Sequence, residues 1–74
     1  MGKKFSTADI IKFIQTVNCM SFDKFFEMYE HTFDYVSKGY VEEKFNSCRN
    51  NIGFWMCSID YENLEKMFDF CLNN

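Results

Sequence analysis

Between residues 22 and 36 the chain places Phe22, Phe25, Phe26, Tyr29, Phe33 and Val36 at steps of three and four. In an α-helix those steps return to one side of the cylinder, whereas a strand would scatter the same rings over both faces. A stripe this wide and this aromatic has to be covered by other helices, which constrains the fold more than any other feature of the chain. Lys24, Glu27, Glu30, His31, Asp34 and Lys38 fall largely on the opposite side. Ser21 is placed to cap this helix, Asp23 to complement its dipole, Asp34 and Lys38 to form an i,i+4 pair, and Gly39 to stop it. Met28 and Tyr35 fall beside the stripe and widen it.

The same reading extends along the chain. Ser6 or Thr7 can cap a first helix over residues 7–19, with Asp9 in its first turn and Ile10, Phe13, Ile14 and Val17 on one side. Beyond Gly39, the spacing of Val41, Phe45, Cys48 and Ile52 predicts a third helix ending around Asn50 and Asn51. The run Ile52-Gly53-Phe54-Trp55-Met56-Cys57 is apolar without a period, and we read it as a compact connection or continued helix. Ser58 or Asp60 then caps a last helix that aligns Tyr61, Leu64, Phe68, Cys71 and Leu72. The expectation is an all-α protein, a compact bundle or orthogonal array of about four short helices with a Phe-rich core. It treats residues 1–74 as one domain with residues 1–5 frayed; the alternative is a small α+β fold with one strand near 52–57.

A domain of 74 residues buries only about 60% of the surface that its unfolded chain exposes. The ten Phe, four Tyr and single Trp compensate, because each aromatic ring can bury about 150–250 Å². Their number exceeds what so small an interior needs, so some rings are expected at the surface, as a binding face or a dimer seam.

Several function classes are excluded by charge and spacing. A formal net charge of −3 with scattered lysines builds no basic field for a phosphate backbone, so direct nucleic-acid binding is not expected. Cys19, Cys48, Cys57 and Cys71 show no C-x-x-C pair, and His31 is the only histidine, so neither a metal nor another cofactor is expected. With no secretory signal and no apolar run of about 20 residues, the chain reads as cytoplasmic, with reduced thiols and no membrane span. Met1 to Ser6 does match the M-G-x-x-x-[ST] pattern for myristoylation of Gly2, although an ordinary N-terminus is the simpler reading.

Catalysis is not expected. Adjacent helix positions diverge by about 100°, so Glu30 does not orient His31 as an acid–base partner; Glu27 is the carboxylate spaced to do so. No cysteine carries a nucleophile signature, and no phosphate loop or hydrolase motif occurs. The cluster Phe54-Trp55-Met56, with Tyr61 close behind, has the composition of an interface centre, and Glu42, Glu43, Glu62 and Glu65 can steer a basic partner. Trp55 also competes for the role of central core residue. Helix 2, with Met28, Tyr29 and Tyr35, offers a second contact face. Phe, Tyr, Met, Ile, Asn and Lys supply about half the chain, the mark of an AT-rich genome. The resulting expectation is a small acidic, non-catalytic module that binds a host protein, of the kind that viruses and bacteriophages use to inhibit or redirect it. About 800 Å² per partner suffices for such binding. The alternatives are a self-associating helical module, a homo-oligomer closed by the surplus rings, and a bundle holding a small apolar ligand with a cysteine or His31 as polar contact.

Overall fold

The computed structural model describes residues 5–73, which form α1 (Thr7–Asn18), α2 (Phe22–Thr32), α3 (Lys38–Asn50), α4 (Ile52–Cys57) and α5 (Tyr61–Asn73). No strand occurs among the described residues, so the run at 52–57 is the short helix α4. Gly2 and its acylation pattern lie outside the described residues. Phe5, expected to be frayed, instead packs its ring 4.4 Å from that of Phe68.

Four of the helices begin on a side-chain oxygen that accepts a backbone N–H of the first turn, the groups a helix cannot satisfy by itself. Ser6 and Asp9 form a reciprocal capping box, the Asp9 N–H donating to Ser6 Oγ at 3.1 Å and the Ser6 N–H to Asp9 Oδ2 at 3.2 Å. Ser21 accepts from Lys24 at 3.3 Å, Ser37 from Tyr40 at 3.3 Å and Asn51 from Phe54 at 3.0 Å. Asn51 also ends α3, its N–H donating to Ser47 O at 2.9 Å, so one extended residue breaks one helix and starts the next. The α5 helix starts after Asp60, whose carbonyl accepts from the Leu64 N–H at 2.9 Å.

One boundary differs from the sequence expectation. The α2 helix stops at Thr32, seven residues before Gly39, and Gly39 lies in the first turn of α3. Thr32 Oγ1 donates to Met28 O at 2.8 Å and Phe33 turns to an extended backbone, its N–H still bonded to Tyr29 O at 2.9 Å. Asp34 and Lys38 therefore share no helix. Phe33 and Val36 remain half-buried against the core. Their spacing is that of residues pointing inward, and an extended connection meets it as well as a helix does.

The α5 helix packs against α1 and α2, and α3 packs against α2 and α4. Trp55 of α4 closes the arrangement: its ring stacks at 6.3 Å on Phe13 of α1 and lies 5.6 Å from Phe25 of α2. Its Nε1–H donates to the Tyr29 hydroxyl at 3.0 Å, in an interior where Trp55 is 0% exposed. Trp55 is therefore a core residue and not a partner anchor. Trp55 is the one fully buried residue of α4, flanked by the half-buried Ile52 and Met56, and a large ring with a satisfiable N–H suits that position. Arg49, at the end of α3, ties the distant α1–α2 turn to this core by donating to the Asn18 and Met20 carbonyls, with its guanidinium 4.7 Å over the Phe45 ring.

Candidate functional site

The α5 helix carries Tyr61, Leu64, Glu65 and Phe68 at i, i+3, i+4 and i+7, so all four share one face. That face meets Ile10 of α1, Met56 of α4 and Phe5, and the seven residues line a groove of about 340 Å³. Phe68 forms part of its floor, held by a 4.2 Å stack on the core residue Phe13. Ile10 and Tyr61 stand at the rim, 38% and 55% exposed. The lining is apolar except for Glu65. Its Oε2 is closed off from solvent and has no hydrogen-bond partner among the described residues. A carboxylate oxygen shut away without a partner gives up hydration for nothing, so this arrangement works against stability.

The residues singled out from the sequence divide. Tyr61 and Glu65 come together in the groove. Phe54 is 70% exposed but sits two positions before Met56, about 200° away around α4, and is not part of the lining. Glu42 and Glu43 are exposed on α3, which contributes nothing to the groove, and Glu62 is exposed on α5 outside the lining. Met56, read from the sequence as part of the Phe54-Trp55-Met56 contact cluster, also lines the groove, whereas Ile10, Leu64, Phe68 and Phe5 were not singled out as site residues. Their one visible signal is Glu65 itself, a charge set inside the apolar stripe of α5.

The second face proposed on helix 2 is taken apart by the fold. Met28 and Tyr29 are buried, 0% and 2% exposed, whereas Tyr35 projects from the α2–α3 connection at 84%. Tyr35 instead borders a surface depression with Phe33, Val36, Ser37 and Tyr40. Glu27 pairs with Lys24 at 3.4 Å, and the His31 ring lies 5.4 Å from that of Phe70. Glu27 is thus engaged by a partner other than His31.

Cys19 and Cys57 are exposed and Cys48 and Cys71 buried, all four as free thiols. Burial pushes the Cys48 and Cys71 thiols up to about 11, an effect that Arg49 and Lys24 respectively offset only in part. Both remain protonated at neutral pH and behave as small apolar side chains, Cys71 Sγ resting 3.8 Å from Met28 Sδ. Among the described residues no group of three or more His, Cys, Asp or Glu side chains is placed to hold a metal ion, and no helix is long and apolar enough to cross a membrane. Neither His31 nor any cysteine lines the groove, so the polar contact of that site is Glu65.

No protein-family model matches the chain, and neither the curated proteins nor the solved structures contain a match.

Proposed function

We propose that the protein is a non-catalytic binding module that takes a segment of another protein into the groove between α1, α4 and α5, and that by occupying that segment it inhibits or redirects its partner. The observation that carries this reading is the combination of rim and floor. Ile10 and Tyr61 present apolar surface to solvent above a floor that Phe68 and Phe13 hold rigid. Interface centres combine aromatic and aliphatic anchors with a preformed concavity in this way. A chain this short has little area to offer a partner, and a groove concentrates contact where a flat face does not.

The test compares capture from a host lysate by the wild-type chain, by Ile10→Gln/Tyr61→Gln and by Tyr35→Ala, each first shown by circular dichroism to be folded. The reading expects one partner near one-to-one stoichiometry, lost with the groove variant and retained with Tyr35→Ala. A partner retained by the groove variant and lost with Tyr35→Ala would move the binding face to the α2–α3 connection and refute it.

A further inference from the structure

The groove contains a feature that apolar docking alone does not use. Glu65 sits between Tyr61 and Phe68 on the face that α5 turns to the groove, a position where the amphipathic pattern calls for an apolar side chain. One of its carboxylate oxygens is enclosed and has no hydrogen-bond partner among the described residues. With one oxygen cut off from water and unpaired, the carboxylate has hydrogen-bonding capacity that an incoming cation can use.

We propose that the occupant of the groove is a protein segment in which apolar side chains flank a lysine or arginine, and that Glu65 receives that cation. The inference rests on the groove reading above and adds the chemistry of the partner to it. Apolar side chains of the segment cover Ile10, Leu64 and Phe68, while the ammonium or guanidinium pairs with the Glu65 carboxylate at the half-exposed side of the residue. The stem of a lysine or arginine is itself apolar and crosses such a lining without loss. The Tyr61 side chain, one helical turn before Glu65, borders the same path. The net charge of −3 favours the approach of a basic segment over an acidic one.

The test selects binders from a displayed library of random twelve-residue peptides against the immobilised full chain, in parallel with its Glu65→Gln and Ile10→Gln/Tyr61→Gln variants. Glutamine keeps the shape of glutamate, so the first variant removes the charge with little change to the groove. The expected result is a set of peptides that pair apolar residues with a lysine or arginine and that fail on the Ile10→Gln/Tyr61→Gln variant. Their affinity should fall about tenfold on Glu65→Gln, the scale of one charge-assisted hydrogen bond, and replacing their basic residue by norleucine should cost the same in the wild type and little in Glu65→Gln. Peptides that need the groove but show no basic residue, or lose nothing on Glu65→Gln, overturn the inference and leave the groove reading standing. Peptides indifferent to Ile10→Gln/Tyr61→Gln, or no enrichment at all, overturn both. Two other occupants are read out alongside. A dimer in sedimentation that the groove variant abolishes would identify a second copy of the chain. Selected peptides that bind Lys3→Gln/Lys4→Gln more than tenfold tighter would identify the chain's own N-terminal lysines. Either result overturns the proposal.

Discussion

The hydrogen bond from Trp55 to Tyr29 joins the shortest helix to the centre of the fold, and its removal is expected to cost a large share of the stability. Small domains are stable by about 0.05–0.15 kcal/mol per residue, so this chain has on the order of 4–11 kcal/mol to lose. In Tyr29→Phe the ring remains and the hydroxyl goes, which leaves the indole N–H without an acceptor in a fully buried setting; the cost is about 1.5 kcal/mol. In Trp55→Phe three terms act together. The ring shrinks by roughly 40 Å³, worth about 1 kcal/mol of cavity, the lost apolar contact contributes about 1 kcal/mol more, and the stranded Tyr29 hydroxyl adds about 1.5 kcal/mol. The double variant strands neither group, so it should lose about 3 kcal/mol less than the sum of the singles. Urea unfolding followed by far-ultraviolet circular dichroism measures all four corners of the cycle without relying on Trp55 fluorescence. With a slope of about 1 kcal/mol per molar urea, Tyr29→Phe should lower the midpoint by about 1.5 M. An unchanged midpoint for Tyr29→Phe, or singles that add within about 0.4 kcal/mol, would show that the bond contributes nothing and that Trp55 is held by packing alone.

Three further outcomes follow from the same structure. Gly39→Ala should raise the melting temperature, because a Cβ there meets nothing within 4 Å and the backbone is already right-handed. The gain is about 0.5 kcal/mol, and a loss on thermal melting would contradict the placement of Gly39 inside α3. Stability should be level up to about pH 9 and fall from there to about pH 12. Burial raises the Cys48 and Cys71 thiols from 9 to about 11 and the Tyr29 hydroxyl from 10 to about 12, so their neutral forms favour the folded state and ionisation favours unfolding. Urea midpoints measured under reducing conditions would refute this if they stayed level to pH 12. Glu65→Leu should stabilise the chain by about 1 kcal/mol, the lower end of the range because the residue is only half-buried, and a destabilised variant would mean that its carboxylate is satisfied within the fold.

The starts of α1 and α2 were legible because each is a local event: Ser6 and Ser21 announce themselves within four residues. The end of α2, and with it the Ser37 start of α3, was not. Apolar spacing continues from Tyr29 through Phe33 to Val36, and both later residues do point inward, yet Thr32 bonds back to the Met28 carbonyl and Ser37 is ready to begin the next helix. Periodicity records which way a side chain faces and is silent on whether the backbone between two such residues is hydrogen-bonded. Trp55 was ambiguous for a related reason. A six-residue helix makes under two turns, too few for the pattern of Ile52 to Cys57 to show a side.

The groove was illegible for a different reason, since Ile10, Met56 and Leu64 come from three helices whose meeting is set by packing and not by local sequence. Glu65 is the exception. Its place in the apolar stripe of α5 could be read from the chain alone, between Tyr61 and Phe68, and the fold gives that conflict a location. A helix face selected for stability alone would carry leucine there, because burying an oxygen without a partner lowers the stability of a small domain that has little to spare. When local pattern and global fold disagree at one residue and agree around it, the cost falls where function is most often found. The enclosed oxygen and the open apolar rim are the two observations on which the proposed occupant, a basic segment with apolar flanks, rests.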